Sequence, residues 1–307
     1  MMNPQAKKAV PWNFRRTWPL HILLLPALLL VILFNYLPMG GLIIAFQDYK
    51  PWTGFVNSPW VGWDNFRLLL DRPDSIQVIR NTAIIAVSKL MFSLVASVLF
   101  ALLLNEVRQR FFKKAVQTVV YLPHFISWVV LSGVLIDILA VKGVVNGLLH
   151  RIFGIDPVLF LSNGEWFRIT VVLSDIWKEF GFGTIVFLAA LSGINPSLYE
   201  AAEMDGASRL KMTLHITLPG ILPMIIVVFT LSLGNVLNAG FDQIYNLITP
   251  LVYGKGDIID TFVYRTGILG GQMSFATAVG LFKSAIGFVL IVISYRLAYK
   301  YARYTIF

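Results

Sequence analysis

The chain has 307 residues, 57% of them hydrophobic and only 13% charged, with a mean hydropathy of +0.74 and a net charge of +9. Soluble globular chains carry about a quarter of their residues charged, so this composition excludes a water-soluble domain and points to a bilayer. The lack of cysteine excludes disulfides and thiolate metal sites, the four histidines (His21, His124, His150 and His215) form no pair at ligand spacing, and the basic excess reads as cytoplasmic loops rather than nucleic-acid binding.

A span needs about 20 mostly apolar residues to cross roughly 30 Å of hydrocarbon. Six runs meet that requirement, at about 19–46, 81–104, 117–140, 169–192, 222–246 and 276–298. Residues 1–18 form a basic tail, disordered or interfacial. Residues 19–80 hold the first span and an external loop, and 81–307 the main transmembrane domain. No small-residue cleavage site follows the first apolar run, so it reads as an uncleaved span. The 47–80 loop carries Trp52, Trp60 and Trp63 with Pro51, Pro59 and Pro73, which suits a compact cap at the headgroups; a surface for an external partner is the other reading. NEVRQRFFKKAV (105–116) is a short basic elbow, and the loops 141–168 and 247–275 are too short for separate domains. With both ends inside, thirteen basic residues fall on the cytoplasmic side against nine outside, which favours that orientation. No paired broken helices recur in matching halves, as an inverted-repeat transporter requires, so the chain is one membrane domain.

Between the fourth and fifth runs lies a compact charged insert, YEAAEMDGASRLKMTLHITLPGILP (199–223). Asn195-Pro196-Ser197 is expected to stop the fourth span and start a helix, with Ser197 as N-cap and Glu200 completing a capping box. Glu200 and Glu203 suit the helix dipole, and Ala201 and Ala202 let another surface approach the backbone. Gly206 is placed where the chain turns with positive φ. A second helix over 207–217 carries Leu210 and Leu214 on one face; Pro219 is expected to end it and Pro223 to open the fifth span. By composition alone, the insert is either a loop lying on the membrane or a docking element.

Glu200-Ala201-Ala202, then Asp205-Gly206-Ala207, then Ile216, Leu218 and Pro219 resemble the EAA loop of permeases in binding-protein-dependent ABC importers. Residues 81–307 resemble the oligosaccharide branch of that family, typified by the maltose permease pair. Phe34–Pro51 resembles permeases for complex plant-polysaccharide fragments in Gram-positive bacteria. The resemblance implies an all-α membrane protein with the six-span type I ABC importer permease fold, in the bacterial plasma membrane with both termini cytoplasmic. It implies a coupling helix within the 195–223 loop that docks in a cleft of a separate ATPase through Glu200, Ala201, Ala202, Asp205, Gly206, Ala207, Leu218 and Pro219. The implied partners are a second permease in a pseudo-symmetric heterodimer, two copies of a cytoplasmic ATPase and an extracellular solute-binding lipoprotein. ATP and magnesium would belong to the ATPase, leaving this chain without cofactor, metal or catalytic residues. In keeping with that, it has no G-x-x-x-x-G-K-[ST] phosphate loop.

Ionisable side chains inside spans are costly and mark candidate sites. They are Lys89, Asp137, Asp175, Lys178, Glu179, Asp242 and Lys283; buried pairing between helices or contact with headgroups is the competing reading of each, and the roles of Lys89, Asp137 and Lys283 stay open. In the fourth span, Asp175 and Glu179 share a face beside Lys178, with Trp177 and Phe182 nearby. In the fifth, Asn235, Asn238 and Asp242 are expected on one helical stripe, with Phe241 and Tyr245 adjacent and Gly234 and Gly240 loosening the helix. Polar groups that bind hydroxyls beside aromatic plates suit a sugar, so Trp177, Asp175, Glu179, Asn235, Asn238, Asp242 and Tyr245 are the candidate substrate contacts. Two other classes compete. An ion-coupled secondary transporter would use the deep carboxylates but leaves the insert unexplained, and a membrane enzyme lacks support from any H-E-x-x-H or G-x-S-x-G motif. Permeases for amino acids, phosphate or metals also carry EAA loops.

Overall fold

The structure, a computed structural model, describes residues 14–302. Among the described residues there are helices and turns but no strand, only an isolated bridge between Gln47 and Trp60. Helix α1 (Phe14–Val31) runs through a π turn and a short helix into a 3-10 turn at Gly40–Phe46. Phe14–Trp18, expected in the basic tail, is therefore already helical, and residues 1–13 lie outside the described part. The apolar window of the Thr17–Phe46 span has none of its residues buried against the rest of the chain.

The 47–80 loop folds back on the end of that span. The Asp48 amide donates to the Pro59 carbonyl at 2.9 Å and the Val61 amide to that of Phe46, also at 2.9 Å. Phe46 stacks on Trp60 at 5.7 Å and meets Trp63 edge-on at 5.4 Å. Helix α2 (Asp64–Asp71) closes this aromatic knot, and the Tyr49 amide donates to Ser274 Oγ at 2.8 Å, tying the cap to the last helix. The compact cap expected from the tryptophans and prolines is present.

Pro73 at the first turn starts α3 (Pro73–Glu106), because proline's fixed φ suits a position whose N–H has no helical partner. At 34 residues it spans about 50 Å and forms the spine of the bundle. It packs along α7 (Gly164–Ser192), whose start Asn163 caps by accepting the amides of Glu165 and Trp166 at 2.9 and 3.3 Å. Their contact uses small polar residues: Ser97 Oγ donates to the Phe180 carbonyl at 3.0 Å and Thr184 Oγ1 to the Ser97 carbonyl at 3.2 Å. Three apolar clusters stack along α3, around Val78 with Phe262, around Ile85 with Phe167, and around Val98 with Phe187.

The third run is not one helix. It is α4 (Arg110–Tyr121), a 3-10 turn at Leu122–Phe125 and α5 (Trp128–Leu139), followed by α6 (Val144–Phe153). Pro123, which lacks an N–H, causes the break, and Ser127 recaps α5 by accepting the Val130 amide at 3.4 Å. This corrects the continuous span expected over 117–140. Among the described residues five helices are long and apolar enough to cross a membrane; α7, with Asp175, Lys178 and Glu179 in its middle, reaches that test together with the helix that follows it at a 73° bend, and the pair counted as one span makes six.

Gly181 brings α7 against the end of α4, where an added Cβ would collide with the Val120 carbonyl and meet Val120 Cγ1 at 2.7 Å. Replacing Gly181 with leucine should destabilise the fold by about 1–3 kcal/mol through overpacking. A thermal unfolding midpoint in detergent equal to that of the parent would show that the two segments do not pack this way.

The fifth run is also interrupted. Helix α9 (Leu218–Gly234) ends sixteen residues on, Asn235–Gly240 is non-helical, and α10 (Phe241–Leu247) begins after a left-handed Gly240. After α11 (Ile259–Val263) and a π turn at Tyr264–Leu269, α12 (Met273–Ala302) returns along α9. The turn before α11 is braced by Asp257, 1% exposed, which accepts from Thr261 Oγ1 at 2.6 Å and Arg265 at 2.5 Å. Burial works against the Arg265 charge, but its hydrogen bond and Coulomb attraction to Asp257 outweigh that and hold its pKa above the ordinary value.

Candidate coupling helix and membrane cleft

Helix α8 (Ser197–Met204) lies across one end of the bundle. Its start differs from the expected capping box. Pro196 is already helical at φ −57°, so the helix begins one residue earlier and Ser197 falls inside it. Asn195 Oδ1 accepts the Ser197 amide at 3.1 Å instead. The end is as expected: Gly206 has φ +71°, the Gly206 amide donates to Glu203 at 3.0 Å and the Ala207 amide to Ala202 at 2.9 Å. This is the double bond of a helix closed by a left-handed glycine.

Beyond the turn, Ser208 caps the helical turn Arg209–Met212 by accepting the Lys211 amide at 3.4 Å. A π turn at Thr213–Thr217 then leads straight into α9, so Arg209–Gly234 is one continuous span. Pro219 therefore does not end a helix and Pro223 sits within one, contrary to expectation. The wider turn, closed by the Leu218 amide on the Thr213 carbonyl, places Pro219 where the regular hydrogen-bond ladder is already interrupted. Tyr199 Oη and Thr217 Oγ1, 2.9 Å apart, pin α8 to this π turn, and Arg209 pairs with Glu106 at 3.4 Å. On α8 and its turn, Glu200, Ala201, Glu203, Met204, Asp205 and Gly206 are exposed, Met204 by 89%, whereas Ala202, Ala207 and Leu218 are half-buried and Pro219 exposed. One face of this helix is thus left unused by the chain.

A cleft of about 350 Å³ opens between α3, α7 and the interruption of the fifth span, lined in part by Lys89, Ser93, Asp175, Glu179, Asn235 and Asn238. Lys89 pairs with Asp175 at 3.0 Å. Glu179 is held from two sides, by Lys178 at 3.1 Å and by His124 Nδ1 at 2.7 Å, while the His124 ring stacks on Phe182 at 3.9 Å. Lys178 also donates to the His124 carbonyl at 2.7 Å, bracing the 3-10 turn of the third run against α7.

The cleft gathers Asp175, Glu179, Asn235 and Asn238 but not the other three candidates. Trp177 lines a separate apolar groove with Phe160 and Trp166. Asp242 is exposed in the first turn of α10, and Tyr245 packs in an aromatic trio with Phe241 at 5.3 Å and Tyr264 at 5.1 Å. The single stripe of Asn235, Asn238 and Asp242 does not form, because the first two lie in the interruption and the third on the next helix. Asp137 is exposed near the end of α5, and Lys283 donates to Asn238 Oδ1 at 2.8 Å and Asp260 Oδ1 at 2.6 Å. Sequence reasoning missed Ser93, whose buried Oγ has no partner among the described residues, and Gln243, fully buried beneath the cleft. For Ser93 the available signal was an uncharged polar residue between Phe92 and Leu94, whereas Gln243 stands beside the more conspicuous Asp242. Among the described residues no cluster of His, Cys, Asp or Glu suits a metal ion.

Residues 93–303 match the family model described as binding-protein-dependent transport system inner membrane component. Protein LplB of Bacillus subtilis (strain 168) is 45% identical over 289 residues, covering 93% of this chain and 91% of that protein. The polygalacturonan/rhamnogalacturonan transport system permease protein YteP of the same organism is 43% identical over 282 residues, covering 92% and 88%. A chain in the crystal structure of a bacterial ABC transporter involved in the import of the acidic polysaccharide alginate superposes with a TM-score of 0.87 at 40% identity, covering 94% of this chain and 97% of that one. The interrupted, all-helical bundle is thus the type I permease fold of ABC importers. The chain belongs to the binding-protein-dependent transport system inner membrane components, and α8 carries the EAA motif typical of that family.

Proposed function

We propose that this chain is a permease subunit of an ATP-driven oligosaccharide importer in the bacterial plasma membrane. The observation that carries the proposal is α8: a helix of sequence SLYEAAEM, capped by a left-handed Gly206, with its outer face exposed across the end of a membrane bundle. A separate ATPase, binding ATP and magnesium, docks on that face, with Glu200 meeting a basic group, Ala201 and Ala202 allowing close approach, and Asp205, Gly206, Ala207, Leu218 and Pro219 shaping the turn and its return. Two ATPase copies, a second permease in a pseudo-symmetric pair and an extracellular solute-binding lipoprotein complete the assembly. The chain itself performs no covalent chemistry, and both of its termini are cytoplasmic. Residues 81–307 form the transport domain, behind the tail at 1–18 and the first span and cap at 19–80.

The cleft forms half of the path, the second permease supplying the rest. Asn235, Asn238, Asp175 and Glu179 contact the sugar there, while Trp177, Asp242 and Tyr245 serve positions of the path outside the cleft. Proteoliposomes holding the full complex and its loaded binding protein test this with radiolabelled oligogalacturonides or alginate oligosaccharides. Uptake should require internal ATP and survive a protonophore. Uptake that needs no ATP and collapses with the protonophore would favour an ion-coupled transporter. Asn238→Ala should raise the half-saturating concentration about tenfold, the scale of one buried hydrogen bond left unmade, without lowering complex yield. Unchanged uptake kinetics would remove Asn238 from the site.

A further inference from the structure

The interruption at Asn235–Gly240 leaves backbone carbonyls without helical partners at membrane depth, where an unpaired group costs several kcal/mol. The buried Ala239 carbonyl is not left unpaired. Lys89 Nζ reaches it from α3 at 2.8 Å, donates to Gln243 Oε1, and pairs with Asp175 Oδ1 at 3.0 Å. All three ammonium donors are thereby used. Gln243 passes the contact on, donating to the Val171 carbonyl at 2.8 Å and Ser174 Oγ at 2.9 Å on α7. Gly240 has φ +95°, a conformation that favours glycine, and a Cβ there would meet Lys89 Nζ at 2.7 Å and have to displace the ammonium. On the other side of the interruption, Lys283 of α12 holds Asn238 Oδ1 and is neutralised by Asp260. Two lysines on two helices, each with its own aspartate, therefore grip adjacent residues of one break.

We infer that these two lysine–aspartate pairs hold the interruption open, and that Lys89 is a positioning residue that sets Asn235 and Asn238 on the cleft wall through the Ala239 carbonyl. Its consequence for transport rests on the proposed role of the cleft. The position of the turn does not, and can be read without any transported solute.

The chain has no cysteine, so Val236→Cys, on the cleft wall, gives it a single reporter thiol, whose labelling is read on this subunit within the full membrane-embedded complex. Its modification rate by a small methanethiosulfonate reagent is compared in Lys89→Met/Asp175→Asn and Lys89→Gln/Asp175→Asn. Both pairs remove the ion pair together and leave no unpaired buried charge, but only glutamine retains a donor for Ala239. The methionine pair should shift the rate about fivefold, the scale of one net hydrogen bond, and the glutamine pair less than about twofold. Equal rates in the parent and both pairs would overturn the inference, as would a glutamine pair displaced as far as the methionine pair. If the methionine pair does not accumulate in the membrane, parental accumulation of the glutamine pair supports the inference, and its equal loss overturns it.

Discussion

Gly206→Val should abolish ATP-coupled uptake while the protein still inserts and binds its partner permease. A Cβ at Gly206 meets nothing within 4 Å, so the defect is conformational and not steric. At φ +71° an L side chain costs about 1–2 kcal/mol, more for a β-branched one, and relief comes from unwinding the turn that aims α8. A misdirected α8 transmits no motion, whatever its remaining stability. Glu200→Lys should act at the same place by another route, placing a positive charge in the first turn of a helix whose N-terminus is already positive. In both variants, hydrolysis stimulated by the loaded binding protein should fall more than about tenfold, since an interface fixed by a few central residues loses several kcal/mol when one is disrupted. Normal stimulation in both would contradict the coupling role.

Asp175→Leu should cause the largest loss of folded protein. Lys89 is 7% exposed, and without Asp175 it would keep only the neutral Ala239 and Gln243 acceptors. Removing one partner of a buried pair costs about 3–5 kcal/mol, whereas replacing both with apolar groups is often neutral. Lys89→Gln/Asp175→Leu, which removes both charges and keeps a donor for the Ala239 carbonyl, should therefore recover most of the stability that Asp175→Leu loses. The fraction of monodisperse protein after detergent extraction and its unfolding midpoint measure both. A single variant as stable as the parent would mean that Lys89 is not charged in the fold.

The long apolar runs identified the spans, the tryptophan-proline loop identified the cap, and Asp205-Gly206 identified the end of α8, because each signal is local. The interruptions were harder. The run over 117–140 stays largely apolar on either side of its break, which Pro123, His124 and the capping Ser127 mark only briefly. Gly234 and Gly240 signalled a loosened fifth span, but the partner that stabilises a full break, Lys89, lies 150 residues from Ala239. No periodicity reports such a contact. Trp177 is different, since residues two apart on a helix do not face each other; its separation from Asp175 and Glu179 followed from spacing alone. The displaced cap at Ser197 came from Pro196, whose fixed φ made it part of the helix turn.

The most direct test uses Met204→Cys, a thiol on the exposed face of α8 in a chain with no other. In intact cells it should resist a membrane-impermeant maleimide applied from outside, and in the assembled complex it should cross-link to the ATPase subunit at short range. Labelling from outside the cell, or an active complex in which no ATPase cross-link forms, would contradict the account.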